Sequence, residues 1–235
     1  MNYLKCLVYG APGVGKTSLA ATLPAPIILS IEGGTTTLRP KNIARMFGEN
    51  QPDITYNIPV VEARDIKTVA EFMRWIASDG ATQYQSVVID SLSELTEVFL
   101  HSLRGISIDG RDGGKKDARQ DYGELYDRVI ALARAIRDIP NKHVLVTAKL
   151  GTIKDPMGGV MKFGPAFEGQ KLGQNIGYIF DSVYYMGVAQ GEDGKPFRYL
   201  QTQPTAQYEA KDRVGGLEFY EAPHLGKIIQ KLNEE

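Results

Sequence analysis

The sequence predicts an α/β fold with a mostly parallel central sheet, flanking helices and a C-terminal β-hairpin. Short apolar, β-branched runs alternate along the chain with segments in which apolar residues recur every three or four positions. Near the C-terminus, two such runs flank the tetrapeptide Gly-Glu-Asp-Gly at 191–194, which is typical of a hairpin. The length of 235 residues suits one domain of this class, and we expect residues 1–235 to form a single domain.

The elements follow in order along the chain. The predicted strands are the apolar runs at 3–9, 27–31, 54–60, 86–89, 143–148, 182–188 and 197–202. Helical periodicity predicts helices over 66–76, 92–103 and 122–136, and Pro140 ends the last of them. Two long, polar, glycine-rich segments, 105–121 and 151–174, carry neither pattern. Segments of this kind in a compact domain are usually functional loops or disordered.

Composition excludes several classes of protein. The chain is 43% hydrophobic and 23% charged, which excludes collagen and low-complexity scaffolds. A net charge of −1 excludes a strongly basic nucleic-acid-binding domain, so any such contact must come from a local patch. The one cysteine, Cys6, excludes an internal disulfide and suits a reducing compartment, and we expect it to be buried. No apolar run approaches the roughly 20 residues of a membrane helix and no signal peptide opens the chain, so we expect a cytoplasmic protein.

The first strand leads into Gly-Ala-Pro-Gly-Val-Gly-Lys-Thr at 10–17, a full match to the phosphate-binding pattern G-x-x-x-x-G-K-[ST]. Glycines let the backbone wrap so that successive N–H groups point at an anion, and a helix expected from Gly15 adds its positive end. Lys16 is expected to contact the β- and γ-phosphates of a nucleotide, and the Thr17 hydroxyl to hold Mg²⁺. The predicted nucleotide-binding residues are Gly10, Ala11, Pro12, Gly13, Val14, Gly15, Lys16, Thr17 and Ser18.

Two acidic residues follow predicted strands. Asp90 comes directly after the run at 86–89, which is the pattern of the strand that supplies a Mg²⁺-binding aspartate beside a P-loop. Its alternative role is a cap on the next helix. Glu32 follows the run at 27–31, and we expect that strand to lie beside the P-loop strand. A carboxylate there can orient and deprotonate an attacking water molecule, and the alternative is an ordinary surface acid.

Lys211 and Arg213 follow the predicted hairpin and alternate along the chain. In an extended segment both side chains therefore project to one side. Two cations so placed suit the γ-phosphate bound by a neighbouring subunit, as an arginine finger supplied in trans. The alternative is a solvated turn with scattered charges. The candidate catalytic residues are thus Lys16, Glu32, Lys211 and Arg213.

These motifs resemble those of the RecA/DnaB-like ATPase superfamily, and they look most like the small phage-encoded RecA-like ATPases of single-strand annealing and recombination. The resemblance covers nearly the whole chain, with motifs in family order at 10–17, 29–32, 87–91, 143–149 and 211–215. It implies a RecA-like P-loop NTPase domain that hydrolyses ATP with Mg²⁺, stimulated by single-stranded DNA, in a homo-oligomeric ring or filament. It also implies the cytoplasm of a bacterial host, and as partners a single-strand-binding protein or other recombination proteins.

The same resemblance implies further site residues. The motif at 143–149 is similar to the family's γ-phosphate-sensing strand, which makes Thr147 or Lys149 the sensor. Two loops line the channel of RecA-like rings, and by position these are segments 105–121 and 151–174. Cations interleaved with aromatic residues suit single-stranded nucleic acid, since phosphates bind the charges and bases stack on the rings. The DNA-binding candidates are Arg111, Lys115, Lys116, Arg119, Lys154, Lys162, Phe163 and Phe167.

Several functions stay open at this level. An ATP-hydrolysing recombination protein is favoured by Glu32 and by the pair Lys211 and Arg213, and a helicase or helicase loader belongs to the same class. A P-loop kinase of a small metabolite is expected to carry an arginine-rich lid, and the sequence has no clear one. A non-enzymatic, nucleotide-gated adaptor predicts tight ATP binding with negligible turnover. For the two DNA-binding segments, the alternative is flexible surface loops with one buried phenylalanine.

Overall fold

The computed structural model of the protein describes residues 2–104, 118–154, 161–213 and 215–234. Within these residues nine strands form one sheet in the order β3-β2-β4-β5-β1-β7-β8-β9, with β6 paired to β5. The strands are β1 (Lys5–Gly10), β2 (Pro26–Ser30), β3 (Val60–Glu62), β4 (Ser86–Asp90), β5 (His143–Lys154), β6 (Met161–Ala166), β7 (Ser182–Gln190), β8 (Pro196–Gln201) and β9 (Tyr220–Glu221). The six strands from β3 to β7 in the sheet order are parallel, and the β5–β6, β7–β8 and β8–β9 pairs are antiparallel. The predicted fold class is therefore confirmed, including the C-terminal hairpin.

Helices cover both faces of this sheet. They are α1 (Pro40–Phe47), α2 (Ile66–Ile76), α3 (Leu92–Arg104), α4 (Ala118–Arg137), α5 (Gln170–Asn175) and α6 (Leu225–Asn233). Short 3₁₀ helices lie at Thr17–Thr22, Thr35–Leu38, Asp79–Ala81 and Ile176–Tyr178. Among the described residues, no helix is long and apolar enough to cross a bilayer.

Strand β1 contributes to two apolar layers because its side chains alternate between the faces of the sheet. Leu7 and Tyr9 pack in the layer that contains α2, α3 and α4. Cys6 and Val8 pack in the other layer, with the 3₁₀ helix Thr17–Thr22 and α6. Cys6 is fully buried, as expected, and burial raises the pKa of its thiol. Strands covered on both faces read as continuous apolar runs, which is why the sequence marks them clearly.

The expected position of β2 beside the P-loop strand is wrong. Strand β1 pairs with β5 and β7, whereas β2 pairs with β3 and β4, so two strands separate β1 from β2. The apolar pattern does not reveal this order because β2 and the first half of β5 are equally buried on both faces. The pattern of burial therefore leaves open which of them pairs with β1.

Two predictions of secondary structure also need correction. Residues 54–59 are not a strand, and only Val60–Glu62 pairs with β2. Pro59, which has no N–H to donate, immediately precedes this short edge strand. The helix expected from Gly15 is instead the 3₁₀ helix Thr17–Thr22, and Leu23 is already extended. Pro24 explains that ending, since the residue before a proline is forced out of the helical region.

Within the unassigned segment 151–174, residues 155–160 lie outside the described part, and the described residues are largely regular. Strand β5 continues to Lys154, β6 returns antiparallel to it, and α5 follows. Gly151 and Gly164 are register partners, and a Cβ on Gly151 would lie 2.7 Å from Cβ of Ala166. The glycines that hide the strand pattern are thus the residues that allow this close pairing. Of the other unassigned segment, residues 105–117 lie outside the described part, and α4 begins at Ala118.

Candidate nucleotide-binding site

The P-loop leaves the carboxyl end of β1 and lies against β7. A Cβ on Gly10 would be 2.5 Å from the carbonyl oxygen of Met186, so no larger residue fits at that position. Gly15 has a φ of +107°, and its Cβ would lie 2.7 Å from Cε of Met46. These two glycines are therefore required by close packing and by backbone conformation, as the phosphate-binding motif predicts. Residues 10–17 thus lie at the edge of the sheet formed by the carboxyl ends of the parallel strands.

Lys16 folds back over this loop. Its Nζ donates to the carbonyl oxygens of Gly10 and Ala11 at 2.8 and 2.9 Å. Burial lowers the pKa of Lys16, while the carboxylates of Glu32 and Asp90 act in the opposite direction. The Lys16 ammonium is thus held at the loop, within electrostatic range of Glu32 and Asp90. A nucleotide phosphate is the usual partner of a lysine at this position of a P-loop.

Asp90 lies at the centre of the site, 3% exposed. The Thr17 hydroxyl donates to its Oδ2 at 3.0 Å, and the Thr147 hydroxyl donates to its Oδ1. The alternative role of Asp90 as a helix cap is wrong, because the Ser91 hydroxyl accepts from the Glu94 N–H at the start of α3. A carboxylate beside hydroxyl oxygens is the hard oxygen donor set that Mg²⁺ prefers, so Thr17 and Asp90 fit the metal role.

Glu32 reaches this site although its strand does not neighbour β1. Its backbone N–H donates to the carbonyl oxygen of Asp90 at 3.3 Å, because β2 and β4 pair in parallel with Ser30 opposite Asp90. The Glu32 side chain is exposed, and its charge acts on Lys16. An exposed carboxylate at the edge of a phosphate site can contact water directly, as the role of a general base requires.

The two sensor candidates differ in their surroundings. Thr147 is fully buried and bonded to Asp90, so it belongs to the centre of the site. Lys149 lies opposite Gly10 in the pairing of β5 and β1, but its Nζ bonds Glu97 and Glu94 on α3 at 2.8 and 2.9 Å. These hydrogen bonds raise the pKa of Lys149, so it stays charged. Sequence reasoning missed both glutamates, although their spacing of three residues places them on one face of α3.

Lys211 and Arg213 lie away from the P-loop of their own chain. Lys211 pairs with Val183 near the amino end of β7, whereas the P-loop follows the carboxyl end of the adjacent β1. Its Nζ donates to the carbonyl oxygens of Gly177 and Phe180, and Arg213 pairs with Asp181 at 3.1 Å. Both cations thus contact one segment, residues 177–181, as their alternation predicts.

The DNA-binding candidates are only partly within the described residues. Arg111, Lys115 and Lys116 lie outside the described residues. The side chains of Arg119 and Lys154 are also outside the described part. Lys162 is half-buried beside Glu209, with 3.6 Å between Nζ and Oε1. Phe163 is 39% exposed and stacks on Tyr208 with 5.3 Å between ring centroids. Phe167 is partly buried and packs against the apolar core.

Comparison with known families agrees with this geometry. A family model described as an AAA domain matches residues 2–214. Because the match covers most of the chain, the protein belongs to this family, whose members are P-loop ATPase domains. The membership implies that the protein is a nucleotide-binding P-loop ATPase. Domains of this class usually bind the nucleotide together with Mg²⁺. No curated protein matches the chain.

The two hydroxyls on Asp90 generate a testable prediction. Replacing Thr147 by Val keeps the shape of the side chain but leaves one buried carboxylate oxygen without its donor. We expect the Mg²⁺ concentration for half-maximal ATP hydrolysis to rise by about 10- to 100-fold, the usual cost of losing a group that orients a metal ligand. Thr147→Ser, which keeps the donor, is the control and should stay near wild type. Equal Mg²⁺ dependence in Thr147→Val and wild type would contradict this role.

Proposed function

We propose that the protein is a Mg²⁺-dependent ATPase of DNA recombination or single-strand annealing, which binds single-stranded DNA and works as a homo-oligomeric ring or filament. The observation that carries the ATPase part is the meeting of Lys16, Asp90 and the exposed Glu32 at one edge of the sheet. A phosphate-binding cation, a metal-binding carboxylate and a water-accessible carboxylate are the groups that hydrolysis of a γ-phosphate needs.

The chemistry assigns one task to each residue. The P-loop N–H groups and Lys16 bind the phosphates of ATP, and Thr17 and Asp90 hold Mg²⁺. When bound, the ion offsets the negative charge that the phosphates carry. Glu32 orients a water molecule for in-line attack and accepts its proton. Thr147 keeps the Asp90 carboxylate in place and is the better candidate for the sensor, because Lys149 is bound by Glu94 and Glu97.

The β5–β6 hairpin supports the DNA-binding part of the proposal. It extends beyond Gly10 at the same edge of the sheet as the P-loop. The side chains of Met161 and Phe163 on this hairpin are partly exposed. The hydroxyl of Tyr9, the residue before the P-loop, donates to the carbonyl oxygens of Phe163 and Glu209. This contact joins the nucleotide loop to the hairpin, so a change at one site can affect the other.

The placement of Lys211 and Arg213 supports assembly. Neither side chain lies at the P-loop of its own chain, so they serve hydrolysis only if a neighbouring subunit presents them. A head-to-tail contact of this kind repeats around a ring or along a filament.

The assignment of Glu32 as the general base predicts a separation of binding from turnover. Glu32→Gln keeps the size of the side chain and removes its basicity, so we expect ATP turnover to fall by about 10²- to 10⁴-fold while ATP affinity stays within a few-fold. Glu62→Gln is a matched control, since Glu62 ends the neighbouring strand β3. Steady-state hydrolysis and equilibrium ATP binding measure the two effects. Loss of ATP binding in Glu32→Gln would identify a structural acid instead.

The DNA-binding role predicts that single-stranded DNA stimulates hydrolysis at low salt and that the stimulation weakens steeply as salt rises. Lys16→Ala should abolish hydrolysis with and without DNA. Phe163→Ala should weaken DNA binding by about tenfold or more, the usual effect of losing one base-stacking ring. Phe219→Ala, which removes a ring of similar exposure, 41%, should leave DNA binding unchanged.

The outcomes of this assay separate the function classes. Hydrolysis that DNA does not affect would contradict the DNA-binding role. Phosphoryl transfer that appears only with an added metabolite would identify a kinase, and ATP binding without turnover under any condition would identify an adaptor.

The trans role of Arg213 predicts recovery of activity on mixing. Arg213→Ala and Glu32→Gln should each be inactive, because one lacks the finger and the other lacks the base. In an equimolar mixture, half of the subunits keep Glu32, and half of these meet an intact Arg213, so about a quarter of wild-type activity should return through head-to-tail interfaces. A mixture that stays as inactive as its components would show that Arg213 does not act across an interface.

A further inference from the structure

A residue of strand β8, which is separated from the P-loop strand β1 by β7, forms a hydrogen bond with the P-loop. Nε of Arg198 donates to the carbonyl oxygen of Val14 at 2.8 Å, across 184 positions of sequence. Val14 is one of the variable positions of the phosphate-binding motif, so the motif does not point to this contact. The Val14 side chain is buried with Met186 in the apolar layer on that face of the sheet. The carbonyl of Val14 and its side chain are therefore held by different parts of the chain.

The peptide between Val14 and Gly15 has a constrained geometry. A trans peptide is planar, and its C=O and N–H groups point in opposite directions. A bond that fixes the Val14 carbonyl outward, towards Arg198, therefore directs the Gly15 N–H away from β8 and into the loop. Val14 lies between Gly13 and Gly15, which both have a positive φ (+78° and +107°) and give the backbone wide conformational freedom. An external bond at this position opposes rotation of the peptide plane.

We propose that Arg198 is a positioning residue for nucleotide binding, which holds the Val14–Gly15 peptide in the orientation that presents the Gly15 N–H to a phosphate. The inference rests on the nucleotide binding that the family membership implies. Without Arg198 the loop must first order this peptide when the nucleotide binds, and that cost reduces affinity. Arg198 is exposed on a hairpin, so its side chain contributes little to the core, and its replacement should leave the fold intact.

The position of the hairpin determines which kinetic constant is affected. Asp90 and Glu32 approach the P-loop from the side of β4 and β2, whereas β7 and β8 lie on the other side of β1. Arg198 thus acts through the loop backbone, away from the groups that handle the attacking water. A residue of this kind stabilises the bound ground state and transition state equally, which changes KM with little change in kcat.

Three variants of the full chain test the proposal. Arg198→Met removes the donor and keeps an apolar stem, Arg198→Lys keeps a cationic donor, and Lys195→Met removes a cation of the same hairpin that pairs with Asp193 instead. Calorimetric titration with ADP and Mg²⁺ measures affinity, steady-state hydrolysis measures KM and kcat, and thermal unfolding without nucleotide measures stability.

For Arg198→Met we expect about a tenfold rise in the Kd for ADP, which corresponds to about 1.4 kcal/mol. We expect a similar rise in KM, with kcat and the unfolding temperature unchanged. Arg198→Lys should lie between Met and wild type, and Lys195→Met should match wild type. Unchanged ADP affinity in Arg198→Met, an equal loss in Lys195→Met, or a fall in kcat at constant KM would each overturn the proposal. A wild-type chain that fails to bind ADP would overturn the nucleotide-binding function itself.

Discussion

The carboxylate of Asp90 is the constraint on which the site depends. It is almost fully buried, and a charge in that position is costly unless hydrogen-bond donors surround it. Thr17 and Thr147 supply the donors, so the P-loop and β5 both converge on this one side chain of β4. Because β5 lies between β1 and β4, Asp90 reaches Thr17 across the carboxyl end of the intervening strand. The strand order and the metal-binding geometry are therefore parts of one arrangement.

A second link joins the nucleotide site to the rest of the molecule through Tyr9. Its ring lies in the core, and its hydroxyl bonds the carbonyl oxygens of Phe163 on β6 and Glu209 in the segment that leads to Lys211. Burial raises the pKa of this phenol, so it remains a donor. Tyr208 stacks between Phe163 and Tyr185, with 4.0 Å between the centroids of the two tyrosines. The candidate DNA-binding hairpin and the candidate finger segment thus meet over the strand that carries the P-loop.

The features that were predicted best from the sequence are those that depend on residues close together in the chain. Helix α2 has the predicted bounds, since its apolar period of three to four residues directly describes one buried face. The strand prediction at 54–60 failed at its proline, and segment 151–174 escaped assignment because glycines at 151 and 164 replace the side chains that mark a strand. Positions that serve close backbone approach carry no hydrophobic signal, so a pattern of hydrophobicity cannot detect them.

The phosphate-binding loop, the acidic residue at the end of β4 and the α/β class could be predicted from the sequence, because backbone freedom at glycine, side-chain chemistry and apolar period are local properties. The tertiary structure was needed to show that β4 and β5 separate β1 from β2, that Thr147 bonds Asp90, and that Arg198 bonds the Val14 carbonyl of the P-loop. These contacts join residues far apart in sequence. They depend on strand order, which equally apolar strands leave open until helices pack on both faces of the sheet.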